Sequence, residues 1–175
     1  MAAFEICVAF VLILLVALAL FYFVTVFNGL IVLRNNIDKA WANIDVLLKQ
    51  RADLVPSLVE IVKAYTKYEK EMFENLSKIR AGLLEMHGPV EKAKTNSELN
   101  KSLLAVVENY PKLQANENFL KLQAQLSDLE NQIADRRNFY NESVLLFNTR
   151  IQIFPDSIFA LFLNMRKKEF FKAFT

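Results

Sequence analysis

The sequence predicts an all-α protein in which an N-terminal transmembrane helix precedes an up-and-down antiparallel helical bundle with two long helices and one or two shorter ones. The 175 residues include only three glycines and four prolines, which is few for a fold with many tight turns. Residues that favour helices, such as Leu, Ala, Glu and Lys, are abundant. A long uncharged run opens the chain, and amphipathic stripes with helical spacing follow it.

The first predicted element is the apolar run from Ile6 to Phe27, which contains no charged residue. At about 1.5 Å per residue a helix of this length is about 33 Å long, which matches a hydrocarbon core of roughly 30 Å. A cleaved signal peptide is the competing interpretation, but it needs a basic N-terminal region and a shorter apolar core. The only early charge is Glu5. We therefore predict a single-pass anchor that spans the membrane from Ile6 to Phe27.

The charges that flank this run predict its orientation. No Lys or Arg precedes the span, whereas Arg34, Lys39, Lys49 and Arg51 follow it. Because basic flanks stay in the cytoplasm, we expect the N-terminus outside and the main domain inside.

Three segments are predicted along the chain. They are an N-terminal segment with the transmembrane helix at residues 1–29, a helical bundle at 30–155 and an amphipathic basic and aromatic segment at 156–175. Asn28-Gly29 is the break between the first two, either as a hinge or as a weak spot in a continuous helix.

The stretch after the anchor predicts a long amphipathic helix. From Ile37 onward the apolar residues step by four and three, as on one face of a helix. Ser57 and Glu60 form a capping-box pattern that would let a new helix start after Pro56. The stripe nevertheless keeps its phase across the proline, so we predict one continuous helix with a bend near residues 52–56.

A second, shorter helix is predicted after a stop signal. The first stripe fades near Leu83, and Gly88-Pro89 is typical of a turn or a helix end. Thr95 and Glu98 form another capping-box pattern, so we expect this helix to begin within residues 90–98.

The third helix is predicted to be long, from about Ala115 to Phe154, and it shares one feature with the first. Each of the two stripes has an arginine at one step, Arg51 in the first helix and Arg136 in the third. A charge on an apolar stripe must find a partner or reach water. We call these two residues the seam arginines. Each either pairs with a carboxylate or with carbonyls of a neighbouring helix, or packs its aliphatic stem against the stripe while its guanidinium group reaches solvent. We favour the second arrangement.

The C-terminal segment 156–175 combines aromatic and basic residues. One interpretation is a short fourth helix that closes the bundle core. The other is an interfacial segment on an anionic membrane, with aromatic side chains buried and cations at the headgroups. The segment can also do both, with its end on lipid. The candidate membrane-surface residues are Arg166, Lys167, Lys168 and Lys172.

The sequence lacks the residues that several classes of chemistry require. The single cysteine, Cys7, excludes an internal disulfide and a cysteine-based zinc site, and the lone His87 leaves little for metal or triad chemistry. Gly29, Gly82 and Gly88 are isolated, so no glycine-rich phosphate loop exists. The net charge of +2 does not predict nucleic-acid binding. We predict no catalytic, cofactor-binding or metal-binding residues, and we treat three Asn-x-Ser sequons, at Asn75, Asn100 and Asn141, as accidental.

Two long blocks resemble a known family. LRNNIDKAWANIDVLLKQRADLVPSLVEIVKAY, residues 33–65, and ENYPKLQANENFLKLQAQLSDLENQIADRRNFYNESVLLFNTRIQIFP, residues 108–155, resemble the bacterial LemA family. The resemblance implies a single-pass anchor in the bacterial cytoplasmic (inner) membrane and an up-and-down bundle. It implies no known catalytic residue and no cofactor. One branch of the family resembles proteins linked to the formation of magnetosome membranes, which makes a membrane-shaping role conceivable.

The leading functional hypothesis is a membrane-anchored, non-enzymatic interaction or scaffold protein. Its expected partners are the lipid bilayer, an unidentified membrane or cytoplasmic protein and a second copy of the chain. The alternative hypothesis is a membrane-remodelling or membrane-organelle formation factor. The third is an enzyme whose site lies in the bundle without a recognisable motif.

Overall fold

The computed structural model describes residues 1–65 and 70–172 and contains only helices and loops within these ranges. The chain forms five α-helices and one short 3₁₀-helix in the described residues. They are α1 (Ala2–Lys63), α2 (Lys70–Glu85), α3 (Pro89–Asn109), the 3₁₀-helix (Pro111–Ala115), α4 (Glu117–Arg150) and α5 (Asp156–Phe162). The predicted all-α class is confirmed.

The chain divides into two compact units. We call residues Met1–Ile37 and Ser143–Lys168 the anchor unit, and residues Asp38–Glu142 and Glu169–Thr175 the bundle unit. Helices α1 and α4 each contribute to both units.

The anchor unit contains the first part of α1, the end of α4 and the whole of α5. The N-terminal part of α1 is long and apolar enough to cross a membrane, and none of its most apolar window is buried inside the protein. Toward the end of that run, Phe23 and Tyr22 contact Phe159 of α5, with ring centroids 5.4 and 6.0 Å apart. Tyr22 Oη also donates a hydrogen bond to Asp156 Oδ1 at 3.1 Å. These contacts hold α5 against the end of the apolar run.

The bundle unit is built on apolar stripes of α1, α2, α3 and α4. Its buried side chains recur at helical spacing, so each helix has one apolar face. That face is buried only when the helices pack against one another. The core residues are Ile44, Leu48, Val55, Leu58, Val62, Leu76, Leu83, Leu99, Val106, Phe119, Leu126 and Ile133.

A tight turn joins α2 and α3 into a helical hairpin within the bundle unit. Gly88 adopts φ +104°, a left-handed conformation that favours glycine, and Pro89 starts the next helix. Near this turn Gly82 of α2 approaches Thr95 of α3 so closely that a Cβ would lie 3.0 Å from the threonine Cγ2. The glycine therefore allows the close approach of the two helices.

The first helix confirms one prediction and corrects another. It is continuous through Asn28-Gly29 and through Pro56, so neither position starts a new helix; the bend near 52–56 stays a prediction. The helix ends at Lys63, whereas its stripe predicted a continuation toward Leu83. That prediction crosses residues 66–69, which lie outside the described residues. Because α2 continues the stripe in sequence, periodicity alone could not locate the helix end.

The later boundaries also differ from the predictions. Helix α3 begins at Pro89, and Thr95 is a buried interior residue whose Oγ1 donates to the Glu91 carbonyl at 3.0 Å. The capping-box prediction at Thr95 is therefore wrong, because the hydroxyl binds back along its own helix. Helix α4 spans 117–150, a few residues inside its predicted limits.

The C-terminal segment is helical only at its start. After α5, residues 165–172 have no regular secondary structure. The last residues of the predicted segment, 173–175, lie outside the described part of the chain.

Candidate functional site

A buried polar cluster lies in the middle of the bundle unit. Arg51 is 1% exposed although it carries a charge. Its Nη1 donates to Asn96 Oδ1 and to Glu130 Oε2, and its Nη2 donates to Asn100 Oδ1. Asn96 Nδ2 in turn donates to Glu130 Oε2 at 3.1 Å. We call these four residues the arginine cluster.

The arginine cluster shows how a charge is retained inside an apolar unit. Burial lowers the pKa of Arg51, and the negative charge of Glu130 acts in the opposite direction. The Arg51 Nε has no hydrogen-bond partner in the described chain. Glu130 accepts two hydrogen bonds here, so its carboxylate serves to compensate the arginine.

A second buried cation lies nearby on α3. The Lys92 ammonium, whose side chain is 5% exposed, contacts Asp45 Oδ1, and Lys49 Nζ lies 2.7 Å from the other oxygen of the same carboxylate. Burial disfavours the charged carboxylate, but hydrogen bonds from Lys49 and Lys92 outweigh it, so the pKa of Asp45 is lowered. The Asp45 side chain is partly buried.

The two seam arginines have different environments. Arg51 is enclosed by partners, so the solvent-reaching arrangement that we favoured is wrong for this residue. Arg136, by contrast, is exposed on α4. It lines a surface depression together with Gln132, Asp135, Asn138 and Phe139. The apolar stripe of α4 at this point is continued by Ile133 and Tyr140, which are buried.

An apolar groove borders the arginine cluster. It has a volume of about 300 Å³ and lies among residues of α1, α3 and α4 in the bundle unit. We call it the leucine groove. Its lining is Leu58, Leu103, Leu104, Val107, Phe119, Leu122 and Leu126, with Arg51, Asn100, Gln123, Ser127 and Glu130 as polar members. Leu104 is 60% exposed, so part of this apolar surface faces solvent.

A basic cavity occurs in the anchor unit. It has a volume of about 250 Å³ and is lined by Arg34 of α1, Phe147 of α4 and residues 163–168. We call it the basic pocket. It contains Arg166, Lys167 and Lys168, three of the four cations that the sequence marked as membrane-surface candidates. Lys172 does not line it and is exposed in the bundle unit.

The ends of the predicted transmembrane span both lie in α1. Ile6 is exposed, and Phe27 is partly buried and stacks on Phe23 with ring centroids 6.3 Å apart.

The chain after α5 is held by its backbone. In the anchor unit Asn148 Oδ1 accepts from the Lys168 N–H at 2.8 Å, and Asn148 Nδ2 donates to the Lys168 carbonyl at 2.9 Å. In the bundle unit Asn141 binds the N–H and carbonyl of Phe171 in the same way, at 2.9 and 3.1 Å. Tyr140 Oη also donates to the Glu169 carbonyl at 2.9 Å.

These contacts explain two of the asparagines in the sequons. Asn100 belongs to the arginine cluster and Asn141 holds the backbone of the tail, whereas Asn75 donates to Ser102 Oγ at an exposed site.

Burial, together with Glu169 and Asp38, raises the pKa of Tyr140 to about 12, so its hydroxyl remains a donor at physiological pH.

Side chains that could bind a metal ion are not clustered in the described part of the chain. Within 1–65 and 70–172 no group of three or more His, Cys, Asp or Glu side chains is placed to hold a metal ion. His87 lies in the turn between α2 and α3, and Cys7 is exposed on the apolar part of α1.

The sequence identified Arg51 but missed its partners. Asn96 and Asn100 are four residues apart on α3 and flank the buried Leu99, so they share its face. Amides at stripe positions of one helix, opposite a stripe arginine of another, were the available signal. Glu130 gave none, because acidic residues on long helices usually face water.

Comparisons with known proteins identify relatives along most of the chain. Residues 40–175 match the model of the LemA family. Protein LemA of Metamycoplasma hominis is 25% identical over 170 residues, covering 94% of this chain and 78% of that protein. Magnetosome protein MamQ of Magnetospirillum gryphiswaldense is 21% identical, covering 83% of this chain. Magnetosome protein MamQ 1 of Paramagnetospirillum magneticum is 22% identical with the same coverage. The chain spans 64% of the length of these two magnetosome proteins.

Proposed function

We propose that this chain, which belongs to the LemA family, is a membrane-anchored, non-enzymatic interaction protein that offers the leucine groove to a partner polypeptide. The observation that carries the proposal is the combination, within one unit, of an open apolar groove and a polar cluster whose charges compensate one another. A groove of this kind fits a binding role better than a reaction.

The state of the polar residues supports a non-enzymatic role. A general base needs a carboxylate that is free to take a proton from a substrate. Glu130 lines the leucine groove, but it accepts hydrogen bonds from Arg51 and Asn96. Asp45 is likewise bound by Lys49 and Lys92. Both carboxylates therefore balance cations of the fold.

The shape of the leucine groove supports an apolar helix as its occupant. Both α3 and α4 contribute apolar side chains to the groove lining, Leu103, Leu104 and Val107 from α3 and Phe119, Leu122 and Leu126 from α4. Such a surface suits the apolar face of an amphipathic helix, which inserts residues at i, i+3 or i+4, and i+7. The partner helix belongs either to a second copy or to another protein, and the two are distinguished by experiment.

The proposed location is the bacterial cytoplasmic membrane, with the bundle unit in the cytoplasm. The apolar start of α1 supports membrane insertion, and the basic residues that follow it, with none before it, support this orientation. Cysteine accessibility in a Cys7→Ser background checks the orientation: a cysteine in place of Ala2, which precedes the span, should react with a membrane-impermeant reagent from outside the cell, and a cysteine in place of Lys121 only after lysis.

Site-directed photocrosslinking tests the groove. A photoreactive residue in place of Leu104 in the full chain, in native membranes, should give a discrete crosslinked product. The same residue in place of Lys101, which is exposed on α3 outside the groove lining, should not. Two differently tagged copies of the chain in one membrane show whether the product is homotypic.

A groove variant completes this test. Leu103→Glu introduces a charge into the groove lining and should abolish the Leu104 product. Crosslinking that is equal from positions 101 and 104, or that survives Leu103→Glu, would contradict the proposal.

A second candidate function is the shaping of a membrane. Its support is the exposed apolar surface around α5, where Leu161 is 80% and Phe162 81% exposed, and the resemblance to proteins named magnetosome proteins. Full-length protein reconstituted into vesicles should change their diameter, and Leu161→Ser with Phe162→Ser should remove the change. Equal vesicle sizes with and without the wild-type protein would exclude this candidate.

A further inference from the structure

The basic pocket of the anchor unit contains four cations without a compensating carboxylate. Its lining includes Arg34, Arg166, Lys167 and Lys168 and no Asp or Glu. None of the four makes an ion pair with a carboxylate of residues 1–65 or 70–172. Asp156 of the same unit is already bound by Arg150. Like charges around one cavity repel each other, so this arrangement favours an anionic occupant.

The loop that supplies three of these cations is fixed at both ends. Helix α5 closes with Asn164 at φ +49°, with hydrogen bonds from Met165 N to Ala160 O at 2.9 Å and from Asn164 N to Leu161 O at 3.1 Å. At the other end Asn148 holds both backbone groups of Lys168. Phe147, which is 1% exposed, contributes to the lining of the cavity. The pocket is therefore part of the fold of this unit.

The position of the pocket relative to the apolar span indicates the source of the anion. Arg34 follows Phe27 by seven residues, which is about 10 Å along a helix, and the headgroup layer on one side of a bilayer is roughly 5–8 Å thick. An arginine side chain at this depth reaches the headgroups. The loop leaves α5, which contacts Tyr22 and Phe23 near the end of the same span.

The surface around α5 agrees with this depth. Phe154, Ile158, Leu161 and Phe162 are exposed in the anchor unit. Aromatic and aliphatic side chains at the boundary of the acyl region, followed by a short run of cations, are the pattern of an interfacial segment on anionic lipid.

We propose that the basic pocket binds the phosphate headgroup of an anionic phospholipid, with the acyl chains beside α5. The inference rests on the membrane anchoring in the proposed function, but not on the leucine groove. Arg34 and Arg166 act as planar donors to the phosphate oxygens, and Lys167 and Lys168 add positive charge. The site selects lipid by headgroup charge.

Lipid retention by the full chain tests this site. The protein is purified in nanodiscs of phosphatidylcholine with a minority of phosphatidylglycerol, released into detergent, and its bound lipids are counted by native mass spectrometry. Wild-type protein should retain phosphatidylglycerol over phosphatidylcholine. Because each cation at an anionic surface contributes about fivefold in affinity, removing three of them in Arg34→Gln with Arg166→Gln and Lys167→Gln should reduce that enrichment by about 100-fold.

Matched variants distinguish a pocket from diffuse attraction. Lys172→Gln and Arg136→Gln remove exposed cations that do not line the pocket, and neither should change the enrichment. Equal losses from these controls and from the pocket variants would overturn the proposal. So would displacement of the lipid by inorganic phosphate at equal concentration, which would indicate a site for a soluble anion.

Photolabelling of the wild-type protein tests the lipid site even if a pocket variant does not fold. A photoactivatable phosphatidylglycerol in the nanodisc should label peptides that contain Arg34 and residues 163–168. Labelling confined to the transmembrane part of α1 would overturn the proposal. Crosslinking from Leu104 is a separate readout, so failure of the lipid site and failure of the groove are distinguishable.

Discussion

The buried cations of the bundle unit and the cations of the basic pocket in the anchor unit differ in how their charge is compensated. In the bundle unit Arg51 and Lys92 are buried, and each contacts a carboxylate. In the anchor unit the cations of the basic pocket surround a cavity whose lining contains no carboxylate. The buried cations are part of the packing of the bundle unit, whereas the pocket cations are available to a ligand.

The difference gives a rule for judging charges in a helical protein of this kind. A buried charge with its full set of partners indicates stability or helix register, and removing one partner is costly because the other stays desolvated. A set of like charges around a cavity, without partners, contributes nothing to packing. Such a set indicates a binding role, and its removal should leave the fold unchanged.

The largest effect is expected from Arg51→Met. It leaves Glu130, Asn96 and Asn100 without their shared donor, and we expect a loss of about 3 kcal/mol in the free energy of unfolding. Fluorescence of Trp41, which packs against Tyr140 and Phe171 with ring centroids 5.7 and 6.0 Å apart, reports chemical denaturation of the full chain in detergent micelles.

Arg136→Met is the matched control for this prediction. It removes the exposed arginine of α4 and should change the free energy of unfolding by less than about 0.5 kcal/mol. Equal effects of the two variants would remove the distinction between buried and free charges.

A smaller effect is expected from acid titration of Asp45. Because its folded-state pKa is below the ordinary 3.8, the ion pairs with Lys92 and Lys49 stabilise the protein above that pH. The contribution is lost as pH falls below about 3.8 and through the folded-state pKa. We expect Asp45→Asn to lose less stability than wild type between pH 5 and pH 3, by the same fluorescence measurement. Asp53→Asn, an exposed change on the same helix, should leave the wild-type pH profile unaltered.

The smallest effect is expected from the pocket cations. Arg166→Gln with Lys167→Gln should change the free energy of unfolding of the full chain in detergent by no more than a surface substitution does, about 0.5 kcal/mol or less, because neither side chain is buried. Removing two of the cations weakens the repulsion among those that line the basic pocket, so any change in the free energy of unfolding should be stabilising. A large destabilisation would show that these residues hold the fold, and the comparison of the two units would fail.

Elements that depend on the spacing of apolar residues along one stretch of the chain could be predicted from the sequence. The apolar run, the uninterrupted stripe across Pro56 and the long helix α4 each follow from spacing along the chain. The end of α1 at Lys63 did not, because the apolar stripe continues in the sequence of α2 and the sequence of residues 64–69 contains neither glycine nor proline. The periodicity of apolar residues cannot locate a helix end that no glycine or proline marks.

The candidate sites were predicted only in part, because their residues are distant in sequence. Arg51 attracted attention as a charge on a stripe, but its partners on α3 and α4 are 45 to 79 residues away. The basic pocket combined a predicted run of cations with Arg34, which the sequence offered only as a topology signal. Only the packing of helices brings such residues together.

The two asparagines that hold the C-terminal segment have a consequence for how the chain can vary. Asn148 and Asn141 bind the main chain of Lys168 and Phe171, and every residue type except proline offers the same N–H and carbonyl. An exposed side chain such as that of Lys167 can therefore be exchanged during evolution without loosening the path of the backbone. The charge of this segment can thus change by point substitution while its backbone keeps the same two asparagine partners.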